Sequence, residues 1–111
     1  MKSAEARKAV EYLIDSAPEF ASARATQLRC ENMLRITKSL CMKASGQNAV
    51  SAQEREAYAS DKYLDAVDQL FQATLDAEKI KALREAAKMK IEYWRSYNSN
   101  HKAAARGFGS A

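Results

Sequence analysis

The sequence has 111 residues and a formal net charge of +4, with 29% charged residues but only 3 Gly and 1 Pro. This length fits one domain, and a chain dominated by Ala, Lys, Glu, Arg and Leu is biased toward helix and away from strand. It has no run of ~18 apolar residues to span a bilayer, and its first residues lack the apolar block of a secretory signal, so a cytoplasmic protein is expected, with no membrane partner.

Taken in chain order, the pattern predicts an all-α fold. A first helix over residues 4–15 carries Ala6, Ala9, Val10, Leu13, Ile14 and Ala17 at the i, i+3, i+4, i+7 spacing of one apolar face. Ser16, Pro18 and Glu19 are spaced as a capped restart with proline in the first turn, so a break or kink is expected there. A second helix over 18–43 places Phe20, Ala23, Cys30, Met33, Leu34, Thr37, Leu40, Cys41 and Ala44 on its buried side, and Gly46 stands where a terminating glycine would. Residues 45–50 read as a loop. Ser51 and Glu54 have capping-box spacing for a short helix over 52–59, and Ser60 and Asp61 look like another N-cap, although the pattern also permits a helix running on across them.

The last helix, over 61–97, contains no Gly or Pro and so permits ~37 helical residues, or ~55 Å. One stripe on it reads Ala66, Leu70, Ala73, Ala77, Ile80, Ala87, Ile91, Trp94, interrupted by Arg84. A neighbouring stripe reads Leu64, Phe71, Leu75, Ala82, Ala86, Met89, Tyr93. The loop should fold this helix back antiparallel to the second one as a long helical hairpin, with the shorter N-terminal helix alongside. Two stripes make a face wider than one partner helix covers, so the hairpin should be completed into a bundle by dimerisation or by a partner. Residues 1–103 then form a single helical domain, and 104–111 a flexible C-terminal tail.

Chemistry-bearing constellations are sparse. Cys30 and Cys41 are eleven residues apart, ~16 Å along one helix, too far to bridge. One histidine, His101, leaves a zinc site short of ligands and a Ser-His-Asp triad dependent on a base near the chain's end. Asp61, Asp65 and Asp68 share a helix side, but nothing nearby separates their acidities, and they read as solvated surface. Gly46, Gly107 and Gly109 make no phosphate loop. No catalytic residue, metal ligand or cofactor-binding residue is assigned, and a non-enzymatic protein is expected.

Charge is the strongest asymmetry. Residues 79–106 hold eight bases, Lys79, Lys81, Arg84, Lys88, Lys90, Arg95, Lys102 and Arg106, against Glu85 and Glu92, a balance of +6 in a chain of +4. Tyr93, Trp94, Tyr97 and Phe108 lie among them, the mixture of cations and ring faces used on nucleic acid. Against that, Ile91 and Trp94 continue an apolar stripe, and a basic last turn also complements the helix dipole. Arg and Trp equally anchor protein interfaces. Arg84, Trp94, Arg95 and Tyr97 are therefore the expected contact residues, with Lys79, Lys81, Lys88, Lys90, Lys102 and Arg106 as a basic patch.

Residues 55–100, with Glu56, Ala57, Tyr58, Tyr63, Glu92, Trp94, Arg95 and Asn100 among them, resemble a group of small helical proteins of tailed bacteriophages and prophages, often encoded beside DNA recombination genes. Ala25, Glu31, Leu40 and Met42 extend the likeness to about residues 4–103. The resemblance implies a cytoplasmic protein of a bacterial host cell that binds a protein complex acting on nucleic acid. It would be a recombination accessory or an inhibitor of a host nuclease or CRISPR effector. The basic balance argues against mimicry of DNA. Direct nucleic-acid binding through the C-terminal segment is the alternative, and a homodimer is expected in either case.

Overall fold

The computed structural model describes residues 2–109, and the side chains of residues 2–107. Among them the fold is all-α: α1 spans Ser3–Ala44, α2 Val50–Tyr58 and α3 Asp61–Gly109.

The separate N-terminal helix expected over 4–15 is part of one continuous α1, with Pro18 inside it. Pro18 is exposed, as is Ile14 four residues before it, whose carbonyl loses its usual helical donor because proline has no N–H. Ser16 is therefore no cap. It is 3% exposed, in the helix interior. Nor does Gly46 terminate α1 in the left-handed conformation, since no glycine has positive φ. The last turn instead tightens through Ser45 N–H to the Met42 carbonyl at 3.3 Å.

α2 starts on Ala49, extended at φ −80°, ψ 136° with no side-chain cap, so the Ser51/Glu54 capping box does not form. Glu54 turns instead to Lys38, at 3.9 Å. Ser60 does cap α3: its Oγ accepts from Tyr63 N–H at 3.2 Å while donating to the Ala57 carbonyl at 2.7 Å. α3 continues past Tyr97 to Gly109, so 104–109 are helical where a tail was expected. The run Ala103, Ala104, Ala105, Arg106 consists of strong helix formers, which outweighs the asparagines before it.

The chain forms two compact units, each drawing on both long helices. Unit 2, Phe20–Lys79, is a helical hairpin. Its antiparallel pairing is marked by Gln27 Nε2 donating to Thr74 Oγ1 at 3.3 Å and by Cys41 Sγ 3.4 Å from Ser60 Oγ. α2 buries Ala57, 1% exposed, and its Tyr58 meets Tyr63 of α3 edge-on with centroids 5.2 Å apart. Lys38 lies 4.8 Å over the Tyr58 ring, and hydrogen bonding to Tyr58 holds its ammonium charged to higher pH than usual. Unit 1, Met1–Glu19 with Ile80–Ala111, pairs the start of α1 with the later part of α3, again antiparallel.

Along each helix the covered positions step alternately by three and four. In α1 this row is 6, 9, 13, 16, 20, 23, 27, 30, 34, 37 and 41, with 12, 31, 38 and 42 half-buried beside it; in α3 it is 63, 66, 70, 73, 77, 80, 84, 87, 91, 94 and 98, with 74 half-buried beside it. This 3.5-residue repeat is a coiled-coil seam. What fills it is unusual. The buried apolar residues are Ala6, Ala9, Ala57, Ala73, Ala77 and Ala87, and no large side chain among the described residues is fully buried. Alanine permits close helix approach but removes little apolar area from water, so the seam specifies pairing more than it supplies stability.

Candidate interaction surface

The two stripes read on α3 separate cleanly. The one through Ala73, Ala77 and Ala87 forms the seam, while its neighbour faces outward, with Leu64 50%, Phe71 68%, Met89 71% and Tyr93 59% exposed. α1 behaves similarly. Val10, Ile14, Met33 and Leu40, which the pattern assigned to its buried side, are all exposed, because a 3.5-residue seam is narrower than the broad apolar face in the sequence. Much of its large apolar side-chain surface is thus available for contact.

Arg84, expected to touch a partner, is engaged within unit 1. Its Nη1 donates to the Leu13 carbonyl and to Ser16 Oγ, both at 2.7 Å. The interruption in the stripe is therefore a polar rung of the seam, matched to Ser16, the one buried polar side chain among the described residues. Such a rung disfavours shifted registers, in which the guanidinium would meet alanine. Ser16 escaped sequence reading because its spacing to Pro18 and Glu19 imitates a cap.

Trp94 is half-buried at a seam position. Arg95 pairs with Glu92 at 3.0 Å, one turn away, and both side chains are about two-thirds exposed (67% and 66%). A pair so wet contributes ~0–1 kcal/mol. Tyr97 is 53% exposed and stacks on His101 with centroids 6.1 Å apart. Lys79, Lys81, Lys88, Lys90, Lys102 and Arg106 are all exposed. They do not form one patch: Lys81 and Lys88 share a side, while Lys79 and Lys90 lie on another. The Phe108 side chain lies outside the described residues.

Two open grooves run between the helices, one in each unit. That in unit 2, of about 380 Å³, lies between Met33, Leu40 and Cys41 on α1 and Ala66 and Gln69 on α3. That in unit 1, of about 350 Å³, lies between Tyr12 and Leu83 with Glu5 and Lys90 at its rim. Thr37, Lys62 and Asp65 also line the groove of unit 2. Cys30 and Cys41 are free, half-buried thiols at seam positions, and among the described residues no three His, Cys, Asp or Glu side chains cluster to hold a metal ion. No described helix is long and apolar enough to cross a membrane. No protein-family model, curated protein or solved structure matches this chain.

Proposed function

We propose that this chain is a non-catalytic helical interaction protein whose exposed apolar side chains are its working surface. A single observation carries this reading: the buried core is alanine, while Ile14, Phe71, Met89 and Tyr93 lie outside it. Exposed apolar patches of this kind mark contact surfaces. In line with the phage-protein resemblance, the partner proposed is a protein of a complex acting on nucleic acid, in a recombination or host-defence setting. The test is a photoreactive phenylalanine analogue installed at Ile14, crosslinked in cells, with adducts identified by mass spectrometry. A discrete adduct with such a protein is expected. Adducts with copies of the chain alone, or none, overturn the heterologous partner.

A second reading, direct nucleic-acid contact, is favoured by the end of α3, where every residue of 95–107 except Asn98 is exposed, Lys102 among them. If it holds, the affinity for single-stranded DNA falls steeply with salt, by about 0.7 log units per log unit of salt for each phosphate neutralised. Lys102→Gln then lowers that slope by ~0.7 in an electrophoretic titration. An affinity indifferent to salt removes this reading.

A further inference from the structure

Within unit 2, α2 is the element with the least to hold it. A helix of 9 residues is marginal in water by itself. This one starts on an alanine with no side-chain cap and carries no acid in its first turn. It buries one residue, Ala57, which removes little apolar area from water. Among the described residues, three ionic or ring contacts join α2 to the long helices. Glu54 reaches Lys38 at 3.9 Å, the Lys38 ammonium lies 4.8 Å over the Tyr58 ring, and Tyr58 meets Tyr63 edge-on at 5.2 Å. Two of the three end on Lys38. The ion pair is partly wet, its side chains 30% and 44% exposed, so α2 is attached largely through one cation at its rim.

The hairpin has its own hold elsewhere. Ala73 and Ala77 are 6% and 1% exposed in the seam, and Gln27 bonds Thr74 about three turns along α1 from Lys38. At the α2–α3 junction Ser60 caps α3 through Tyr63 N–H at 3.2 Å, a bond within α3's own first turn that does not need α2 in place. With α2 loose, residues 45–59 become one longer loop, and the cost of closing a loop grows only slowly with its length.

We propose that α2 is a releasable strap on the hairpin, latched by Lys38, which opens as a unit while α1 and α3 stay paired. Opening uncovers the part of Tyr63 that Tyr58 meets, one turn of α3 from Val67 and next to Leu64, which are 38% and 50% exposed already. The strap thereby sets how much of this apolar side of α3 is shown. Its input is ionic strength, since salt weakens the pairing of Lys38 with Glu54. The use of the uncovered surface rests on the reading of exposed apolar side chains as contact surfaces; the opening itself does not.

The experiment is native-state hydrogen exchange on the full chain, followed at residues 53–58 and at residues 66–77 of the seam, with circular dichroism confirming that each variant is folded. In wild type, residues 53–58 exchange at least ~10-fold faster than the seam, and low urea leaves their rate unchanged while the seam follows global unfolding. Lys38→Gln removes the charge from both contacts and speeds exchange at 53–58 by ~10-fold. Gln72→Gly, at an exposed position of α3, loosens the hairpin instead. The seam then exchanges about 5-fold faster while 53–58 keep the wild-type rate, because the strapped and unstrapped forms are weakened equally. Raising salt from ~50 mM to ~500 mM speeds 53–58 in wild type and has no such effect in Lys38→Gln. Protection at 53–58 equal to that of the seam overturns the proposal, as does a rate there that rises with Gln72→Gly, since α2 would then open only with the hairpin. A rate indifferent to Lys38→Gln removes the latch, and one indifferent to salt removes the input. If the strap opens as expected while crosslinking at Ile14 captures no partner, the contact-surface reading falls and the strap stands.

Discussion

Pro18→Ala raises the thermal midpoint by roughly 10 °C, measured at matched protein concentration because association moves midpoints by mass action. Proline inside a helix forfeits one hydrogen bond and crowds the carbonyl four residues back, at a cost of ~3 kcal/mol. Up to ~1 kcal/mol is offset because proline also restricts the unfolded chain, which leaves ~2 kcal/mol. At ~4–8 °C per kcal/mol for a domain of this size, that is a large upward shift. The outcome depends on α1 being continuous through Pro18. If a new helix began at this point, proline would sit in a first turn where its missing N–H costs little, and alanine would leave the midpoint unchanged or lower it. Thermal melts of the two proteins therefore choose between one helix and two.

Arg84→Ala has the opposite sign and similar size. The guanidinium satisfies Ser16 Oγ and adds a bond to the Leu13 carbonyl, both at 2.7 Å, and its removal strands a hydroxyl that is part of a residue only 3% exposed. Charge-assisted bonds of this kind contribute ~1.5–3 kcal/mol, and the alanine also loses the packing of the arginine stem. A loss of about 2–3 kcal/mol is expected by urea denaturation. The companion variant Arg84→Leu with Ser16→Ala removes both polar partners and recovers most of it, because an apolar rung leaves nothing unsatisfied. It also gives up the register that the polar rung imposes, so its helical signal melts over a broader range. Were Arg84 instead a contact residue, as its place among the bases suggested, Arg84→Ala would leave the urea midpoint in place and weaken only partner capture.

The two stripes on α3 show how far the sequence could be read. Their residues were identifiable because helical periodicity depends only on the 3.6-residue repeat, which every chain of this composition shares. The stripe that would be covered was not identifiable, since both are apolar and adjacent. It was selected by the mate on α1, whose small residues Ala6, Ala9 and Ala23 recur at the alternating three- and four-residue steps of the Ala73, Ala77 and Ala87 stripe. Ser16 and Arg84, 68 residues apart, could be joined only by that pairing. Local spacing gave Ser16 a plausible and different role as a cap. The capping box at Ser51 failed in the same way: Glu54 had Lys38 within reach, a partner invisible from the helix start itself.

The all-α character, the long helices, the break around residues 45–49 and the basic bias of residues 79–106 were settled by the sequence alone. These follow from backbone preference, from the near absence of Gly and Pro and from simple charge, all properties of residues and their near neighbours. Tertiary structure decided that α1 passes through Pro18, that Arg84 turns inward to Ser16, and that Phe71 and Met89 remain outside while alanines fill the seam. Each of those outcomes depends on which surfaces meet across the helix pair, and no residue carries that information until its opposite number, dozens of positions away, is in place.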